Sequence, residues 1–190
     1  MQKWERRNLR LRENHGWKAK RGYQIFVLDR GAVRLDLPGE WIATVKTEEN
    51  SGRTTFTFTD RPAPDDDCRL QVTAIYLPPG IDSSALPLPE MLEETAGGPD
   101  EYTVLGRSAA VHEQRRDLEL AWVETRFIDP GEHREARSRT YLARRDGVHA
   151  LITFEYWPED AGRFLPIFDE ITRSLRLAEF IRDPTRGPGG

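Results

Sequence analysis

The chain is poor in cysteine and has no long apolar run. Cys68 is the single cysteine among 190 residues, which excludes an internal disulfide and leaves no paired cysteines at zinc-site spacing. No stretch approaches the roughly 18 consecutive apolar residues that a membrane helix requires. The basic N-terminus has no apolar core of signal-peptide length. We therefore expect a soluble, cytoplasmic protein in a reducing compartment.

Composition and charge distribution indicate one folded domain with a basic extension. Five Trp, eight Phe and five Tyr argue against a disordered chain. The net charge is −4, yet residues 1–22 hold eight Lys or Arg against two Glu. The sequence predicts a basic arm over residues 1–22, a single α+β domain over 23–182 and a flexible tail over 183–190.

Apolar residues alternate with polar ones in short stretches, which predicts an antiparallel sheet of about six to eight strands. In the second arm of the first hairpin, Val33 and Leu35 are predicted to face the core, and Asp36 to face water. The strand candidates lie near residues 23–38 (a hairpin), 41–47, 53–60, 68–76, 102–115, 118–128, 136–144 and 148–158.

Two helices are predicted to flank this sheet. The stretch LPEMLEET reads as a short helix that ends at Gly97-Gly98-Pro99. A second helix follows Pro158, where apolar residues recur at three and four positions from Phe164 to Leu175. The resulting fold class is α+β, an antiparallel sheet with helices against it.

The acidic stretch around Asp65–Asp67 could hold a cation, because adjacent carboxylates repel one another. The run lacks the spacing and the glycine of an EF-hand, and consecutive side chains point in different directions. We therefore predict a solvated loop over Asp60–Asp67 and no metal site. Alternation places Cys68 on the buried face of the next strand, where a thiol is inert rather than nucleophilic.

The histidines offer no ligand set, because none of them are paired at metal-ligand spacing. His149 lies on the polar face of its strand, which favours a surface or partner-facing imidazole. The four histidines are His15, His112, His133 and His149.

Arginines are concentrated in the stretch REARSRTYLARR. Arg137, Arg139 and Tyr141 share one strand face, and such a face could bind phosphate or carboxylate groups. The alternative is a charged sheet face on which these arginines pair with glutamates of the neighbouring strand.

The basic arm offers a second candidate contact. Lys18, Lys20 and Arg21 lie among Trp17 and Tyr23, a mixture that suits a nucleic-acid backbone or an acidic protein surface. The alternative is that the tryptophans of the arm pack on the domain and its basic residues pair with the acidic body. No RRM, KH or zinc-finger signature is present.

Two stretches resemble the PsbP-like fold family, which includes a photosystem II extrinsic protein, a Ran-binding import factor and bacterial lipoproteins. They are AVRLDLPGEW near the start and ALITFEYWPEDAGRFLPIFDEITRSLRL near the end, and the resemblance spans about residues 23–177. It implies an α/β/α sandwich and a role in binding other proteins. Two features depart from the family pattern. No lipobox, signal or transit peptide is recognised, which argues against a photosynthetic-lumen or periplasmic role, and the fold does not explain the basic extension of about 22 residues.

These observations predict a non-catalytic protein-binding or assembly module without cofactor, metal or membrane contact. The predicted contact residues are Lys18, Lys20, Arg21, Arg137, Arg139 and Tyr141. Two alternatives stay open: an enzyme or small-ligand binder with a site on the sheet face, formed by Asp65–Asp67, Arg137 and Arg139, and nucleic-acid contact through the arm.

Overall fold

The computed structural model describes residues 16–47, 53–77, 86–95, 103–183 and 186–187. None of the helices in these ranges is long and apolar enough to cross a membrane. In chain order the elements are β1 (Tyr23–Leu28), β2 (Val33–Pro38), β3 (Ile42–Thr47), β4 (Thr54–Thr59), β5 (Cys68–Tyr76), α1 (Leu88–Thr95), β6 (Thr103–Arg107), β7 (Val111–Gln114), β8 (Glu119–Ile128), β9 (Glu135–Arg145), β10 (Val148–Tyr156), α2 (Ala161–Ser174) and β11 (Arg176–Leu177).

The strands form two antiparallel sheets. The larger has the order β3-β4-β5-β10-β9-β8-β6, and β7 also pairs with β8, which makes eight strands within the described residues. The smaller has the order β1-β2-β11. The predicted α+β class and the antiparallel sheet of six to eight strands are confirmed, whereas the separate three-stranded sheet is an addition to what the sequence predicts.

A two-residue turn sets the register at the centre of the larger sheet. Asp146 and Gly147 connect β9 to β10 with φ angles of 47° and 79°. Positive φ at both central positions is the geometry of the tight hairpin turn whose twist matches that of the strands. The turn fixes Arg145 opposite Val148, and the pairing continues to Arg137 opposite Tyr156.

The two helices lie on opposite faces of the larger sheet. Leu120 of β8 belongs to the main core, together with Phe164 and Phe168 of α2. Its neighbour Ala121 points to the other face and packs with Leu88 of α1. Since successive strand residues face opposite sides, the sheet separates α1 from α2, as the predicted α/β/α sandwich requires.

Aromatic side chains fill the layer between α2 and the sheet. The rings of Phe154 and Phe168 lie 4.0 Å apart, and those of Tyr156 and Phe168 lie 5.4 Å apart. Both phenylalanines are fully buried, which contributes about 2 kcal/mol for each side chain. These contacts fix α2 over β10 and leave part of the same face of β8 and β9 open beside the helix.

Two sequence predictions differ from the structure. The prediction that Asp36 lies on a solvent-exposed face of β2 is wrong. Asp36 is buried, and its backbone N–H donates to Ser174 Oγ of α2 at 2.9 Å. Burial raises the pKa of the Asp36 carboxyl, and nearby Arg34 partly opposes this. The single strand expected near residues 102–115 is two strands, with a register shift between Val104 and Gly106; residue 102 lies outside the described residues.

Candidate functional site

The candidate site lies where three strands of the larger sheet present polar side chains on the α2 side. Cross-strand pairing sets Glu124 of β8 opposite Arg139 of β9, and Arg137 of β9 opposite Tyr156 of β10. We call these four residues the Glu124 cluster. Alternation along β9 gives Arg137, Arg139 and Tyr141 one face, as the sequence predicts.

The Glu124 carboxylate accepts hydrogen bonds from all three other members of the cluster. Arg139 donates to Oε2 through Nε at 3.1 Å and Nη2 at 2.9 Å. The Tyr156 hydroxyl donates to the same oxygen at 2.9 Å, and Arg137 Nη1 donates to Oε1 at 3.3 Å. This is the glutamate pairing that the sequence offers as the alternative to ligand binding.

The tyrosines of this region stay protonated at neutral pH. Burial, followed by the hydrogen bond to Glu124, raises the pKa of Tyr156 to about 12. Burial also raises the pKa of Tyr141, although Arg139 opposes it. Tyr141 is 3% exposed, so it can act on a partner only through the arginine beside it.

Arg139 and Arg137 differ in how fully their donors are used. The Arg139 guanidinium also lies over the Trp122 ring, 4.6 Å from its centroid, a favourable cation–π contact. Arg137 has only the 3.3 Å contact to Glu124, and its buried Nε has no hydrogen-bond partner among the described residues. Its side chain is 33% exposed.

Side chains around the cluster extend it into a surface. Val111 of β7 pairs with Trp122 across the strands, and Arg126 of β8 pairs with Arg137. We define the arginine patch as this partly exposed surface beside α2, which consists of Val111, Trp122, Glu124, Arg126, Arg137 and Arg139. The patch holds apolar, aromatic and cationic groups but no arrangement of a nucleophile beside a free base.

The Asp60–Asp67 loop is held in place by hydrogen bonds to the carboxylate of Asp60. Asp60 is buried, and its Oδ1 accepts hydrogen bonds from the backbone N–H groups of Asp67 at 2.9 Å and Cys68 at 3.1 Å. Arg163 of α2 donates to Asp60 Oδ2 at 3.0 Å. The segment is a loop, as predicted, but Asp60 is buried rather than solvated, and Arg163 ties the loop to the N-terminal part of α2.

The three consecutive aspartates of this loop do not converge on one point. Asp66 pairs with Arg69 at 3.2 Å, Asp67 pairs with Arg163 at 3.4 Å, and the side chain of Asp65 is exposed. Within the described ranges no three His, Cys, Asp or Glu side chains are arranged to hold a metal ion. Of the carboxylates that the enzyme alternative uses, Asp66 and Asp67 therefore pair with Arg69 and Arg163 rather than with Arg137 and Arg139.

A shallow groove of about 440 Å³ runs beside this loop. Its lining includes Pro62, Pro64 and Asp65 of the loop together with Arg134 and Trp157. Arg134 is engaged on both sides, because its guanidinium stacks 3.6 Å from the Trp157 ring centroid and donates to Glu159 at 2.6 Å. The groove is open and mostly polar.

Cys68 lies in the main core, as its place in the alternation predicts. It is 2% exposed, and burial raises the pKa of the thiol, with Asp60 adding to the rise. A thiol that resists ionisation is a poor nucleophile.

The predicted contact residues of the arm lie apart from the arginine patch. Lys18 and Arg21 are exposed. Lys20 approaches Glu170 at 3.9 Å, and its Nζ lies 5.5 Å from the Tyr23 ring centroid. Trp17 is buried against Arg34, which agrees with the packing alternative for this tryptophan, while residues 1–15 of the arm lie outside the described residues. Contact through Lys18, Lys20 and Arg21 stays a prediction.

The surface position predicted for His149 is wrong. It is 2% exposed rather than on the surface, and neither ring nitrogen has a hydrogen-bond partner among the described residues. Burial and the facing Arg144 lower the pKa of His149, against a smaller opposing effect of Glu119. Alternation assigns the residue to the α1 side of the sheet but does not reveal that this position is covered.

Comparison with solved structures defines the class of fold. The solution structure of cyanobacterial PsbP (CyanoP) from Synechocystis sp. PCC 6803 has a TM-score of 0.58 at 11% identity, covering 84% of this chain and 95% of CyanoP. The Ran-binding protein Mog1p of Saccharomyces cerevisiae covers 82% of this chain and 95% of its own at 10% identity, with a TM-score of only 0.47. The protein has a PsbP-like fold, which confirms the resemblance seen in the sequence.

Sequence comparison then gives the particular family. The Alr1449 family model matches residues 24–181. The uncharacterized protein alr1449 of Nostoc sp. (strain PCC 7120) is 38% identical over 185 residues, which cover 97% of this chain and 92% of the relative. The chain belongs to the Alr1449 family.

Proposed function

We propose that this protein is a non-catalytic binding module, and that its partner is another protein that contacts the arginine patch. The proposal rests on one observation above all: a tryptophan and three arginines stand partly exposed, from 14% for Arg139 to 51% for Arg126, on a sheet face that is otherwise packed beneath α2. Trp, Tyr and Arg dominate the residues that contribute most to binding at protein interfaces.

The patch is held in place before any partner arrives. Glu124 fixes Arg139 through two hydrogen bonds, and Trp122 supports the same guanidinium from one side. Ordering a long side chain on binding costs about 0.5–1.5 kcal/mol. A preorganised arginine avoids most of that cost, which favours recognition of a partner.

The chemistry of Glu124 favours binding over turnover. A general base needs a free carboxylate within reach of the proton that it removes. Both oxygens of Glu124 already accept hydrogen bonds from the cluster, and one of them accepts three. The carboxylate is thereby committed to positioning the arginines.

A pull-down with matched variants tests the proposal. The full chain is used as bait in native lysate as wild type, Trp122→Ala, Arg139→Gln and the control Arg145→Gln. Arg145 lies on the same strand face as Arg139 but pairs with Asp146 at the far end of β9. We expect a stoichiometric partner with wild type and Arg145→Gln, and at least ten-fold less with the patch variants.

Equal capture by all four proteins would reject the arginine patch as the contact surface. Circular dichroism and thermal unfolding of each bait verify that loss of capture does not reflect unfolding.

We further propose that the protein acts in the cytoplasm. Its single cysteine is buried as a free thiol, which fits a reducing compartment. Cell fractionation followed by immunoblotting tests the location, and recovery in a periplasmic or lumenal fraction would reject it.

A further inference from the structure

The arginine patch contains more positive than negative charge. Among the described residues, Arg126, Arg137 and Arg139 donate hydrogen bonds to two carboxylates, those of Glu124 and Glu135. Arg126 satisfies Glu135 with two hydrogen bonds, Nε to Oε1 at 2.9 Å and Nη2 to Oε2 at 3.1 Å. Arg139 holds Glu124 in the same region with two shorter hydrogen bonds. Although the charge of Arg137 also acts on Glu135, Arg137 is the least well paired of the three arginines, so the excess positive charge lies mainly there.

The surroundings of Arg137 leave it poorly neutralised. Its strand neighbours are Arg126 on one side and Tyr156 on the other, and the Tyr156 hydroxyl donates to Glu124 rather than accepting from an arginine. The one contact of Arg137 to Glu124 is long, at 3.3 Å. With one third of its side chain exposed, the terminal edge of the guanidinium can donate two parallel hydrogen bonds to a second carboxylate.

We propose that Arg137 binds the carboxylate of an aspartate or glutamate on an extended segment of the partner protein. This inference rests on the proposed function and adds the chemistry of the partner. A protein segment is favoured over a free anion because the patch continues into apolar surface, formed by Trp122 and the 42% exposed Val111.

The geometry of the sheet sets the spacing of the segment. Trp122 pairs with Tyr141, four residues along β9 from Arg137. A rise of about 3.3 Å per residue and about 4.8 Å between strands place the two positions about 14 Å apart. An extended segment covers that distance in four residues, and its side chains i and i+4 point to the same side. The partner therefore carries an acidic residue and an apolar residue four positions apart.

Synthetic peptides test this inference on the full chain. The probe is the capped peptide acetyl-Gly-Leu-Ser-Thr-Ser-Glu-Gly-amide, and its matched control has Gln in place of Glu. Binding is followed in ¹⁵N NMR spectra by the Arg137 Nε–H and Trp122 indole N–H resonances. We expect saturable shifts of both resonances with the Glu peptide, and at least ten-fold weaker binding of the Gln peptide.

Variants of the protein give the second arm of the test. Arg137→Gln should weaken binding of the Glu peptide at least ten-fold. Arg137→Lys, which keeps the charge but cannot form a bidentate pair, should weaken binding several-fold, and Arg145→Gln should leave binding unchanged. Arg137→Gln leaves Glu124 bonded to Arg139 and Tyr156, so we expect it to fold; its thermal unfolding is measured alongside.

Three results would overturn the inference. They are equal binding of the Glu and Gln peptides, binding that survives Arg137→Gln, and equal shifts on addition of inorganic phosphate at the same concentration, which would indicate a general anion site. If a partner is lost with Trp122→Ala but the peptides fail in any of these ways, the proposed function stands and only the partner chemistry is rejected.

Discussion

At the scale of single residues, burial and pairing distinguish side chains that look alike in the sequence. Arg137 and Arg139 stand two apart on one strand, yet Arg139 is held by Glu124 and Trp122, whereas the Nε of Arg137 has no hydrogen-bond partner in the described part of the chain. Alternation predicts that these arginines share a face. It does not predict how many hydrogen bonds each arginine makes to Glu124, because that number depends on the reach and exposure of each side chain.

His149 should make the stability of the protein depend on pH. Its pKa in the folded state is lowered, whereas the unfolded chain binds the proton near the ordinary value of about 6.5. Above that value the residue has no effect. As the pH falls below it, the unfolded state gains the proton first, so the free energy of unfolding decreases until the folded pKa is passed. A difference of one between the two pKa values corresponds to about 1.4 kcal/mol.

Replacing the imidazole isolates this effect. His149→Leu should be more stable than wild type at pH 5 and should show a flatter dependence between pH 5 and 7, measured by urea unfolding at each pH. His133→Asn is the control, because His133 is exposed in a turn with a φ of 54° that asparagine tolerates. A pH dependence identical in wild type and His149→Leu would contradict the assignment.

At the scale of elements, turn residues carry much of the information that can be read from the sequence. The break between β6 and β7 has no such signal, since Ser108-Ala109-Ala110 contains neither glycine nor proline. The structure interrupts the strand there because Ser108 bonds to Glu124 with its side chain: the Glu124 N–H donates to Ser108 Oγ at 2.9 Å. A tertiary contact of this kind is outside what a local pattern can predict, so residues 102–115 read as one strand.

The same substitution at two glycines should have opposite effects. Gly147 has a φ of 79° and Gly162 lies in α2 with no positive φ, and an added Cβ would meet nothing within 4 Å at either position. Gly147→Ala should therefore destabilise by about 1 kcal/mol through left-handed strain alone. Gly162→Ala should stabilise by about 0.5 kcal/mol, because alanine favours the helix.

Urea unfolding of both variants beside wild type checks this pair. Unchanged slopes with midpoints displaced in opposite directions are expected. Displacement of both midpoints in the same direction would mean that contacts, rather than backbone conformation, decide the result.

At the scale of the whole molecule, the sequence predicts most of the secondary-structure elements but not how the layers of helices and sheets stack on one another. Arg34 and Asp36 alternate with buried residues, which is the pattern of a half-wet strand. The structure places β2 in the small sheet against α2, so Asp36 is enclosed. The location of the arginine patch depends on the same stacking, because it is the part of the sheet face that α2 leaves open.

The two edges of the larger sheet provide a final test of which surface meets the partner. Val111 on β7 is 42% exposed beside Trp122, and Ile42 on β3 is 40% exposed at the opposite edge. Exposed edge strands are themselves sites where other chains can pair, and lysine on an edge opposes such pairing. Lys46 lies on β3, so lysine opposes strand pairing at the edge that is away from the patch.

A photoreactive benzoylphenylalanine at each position compares the edges directly. Both positions are nearly equal in exposure, so accidental cross-linking should be similar at the two. With the partner that wild type captures, we expect a cross-linked species from position 111 at several times the yield from position 42, measured by immunoblot and mass spectrometry. A higher yield from position 42 would move the interface to the β3 edge and reject the arginine patch, whereas a product from position 111 that disappears with Arg137→Gln would tie the partner to the guanidinium.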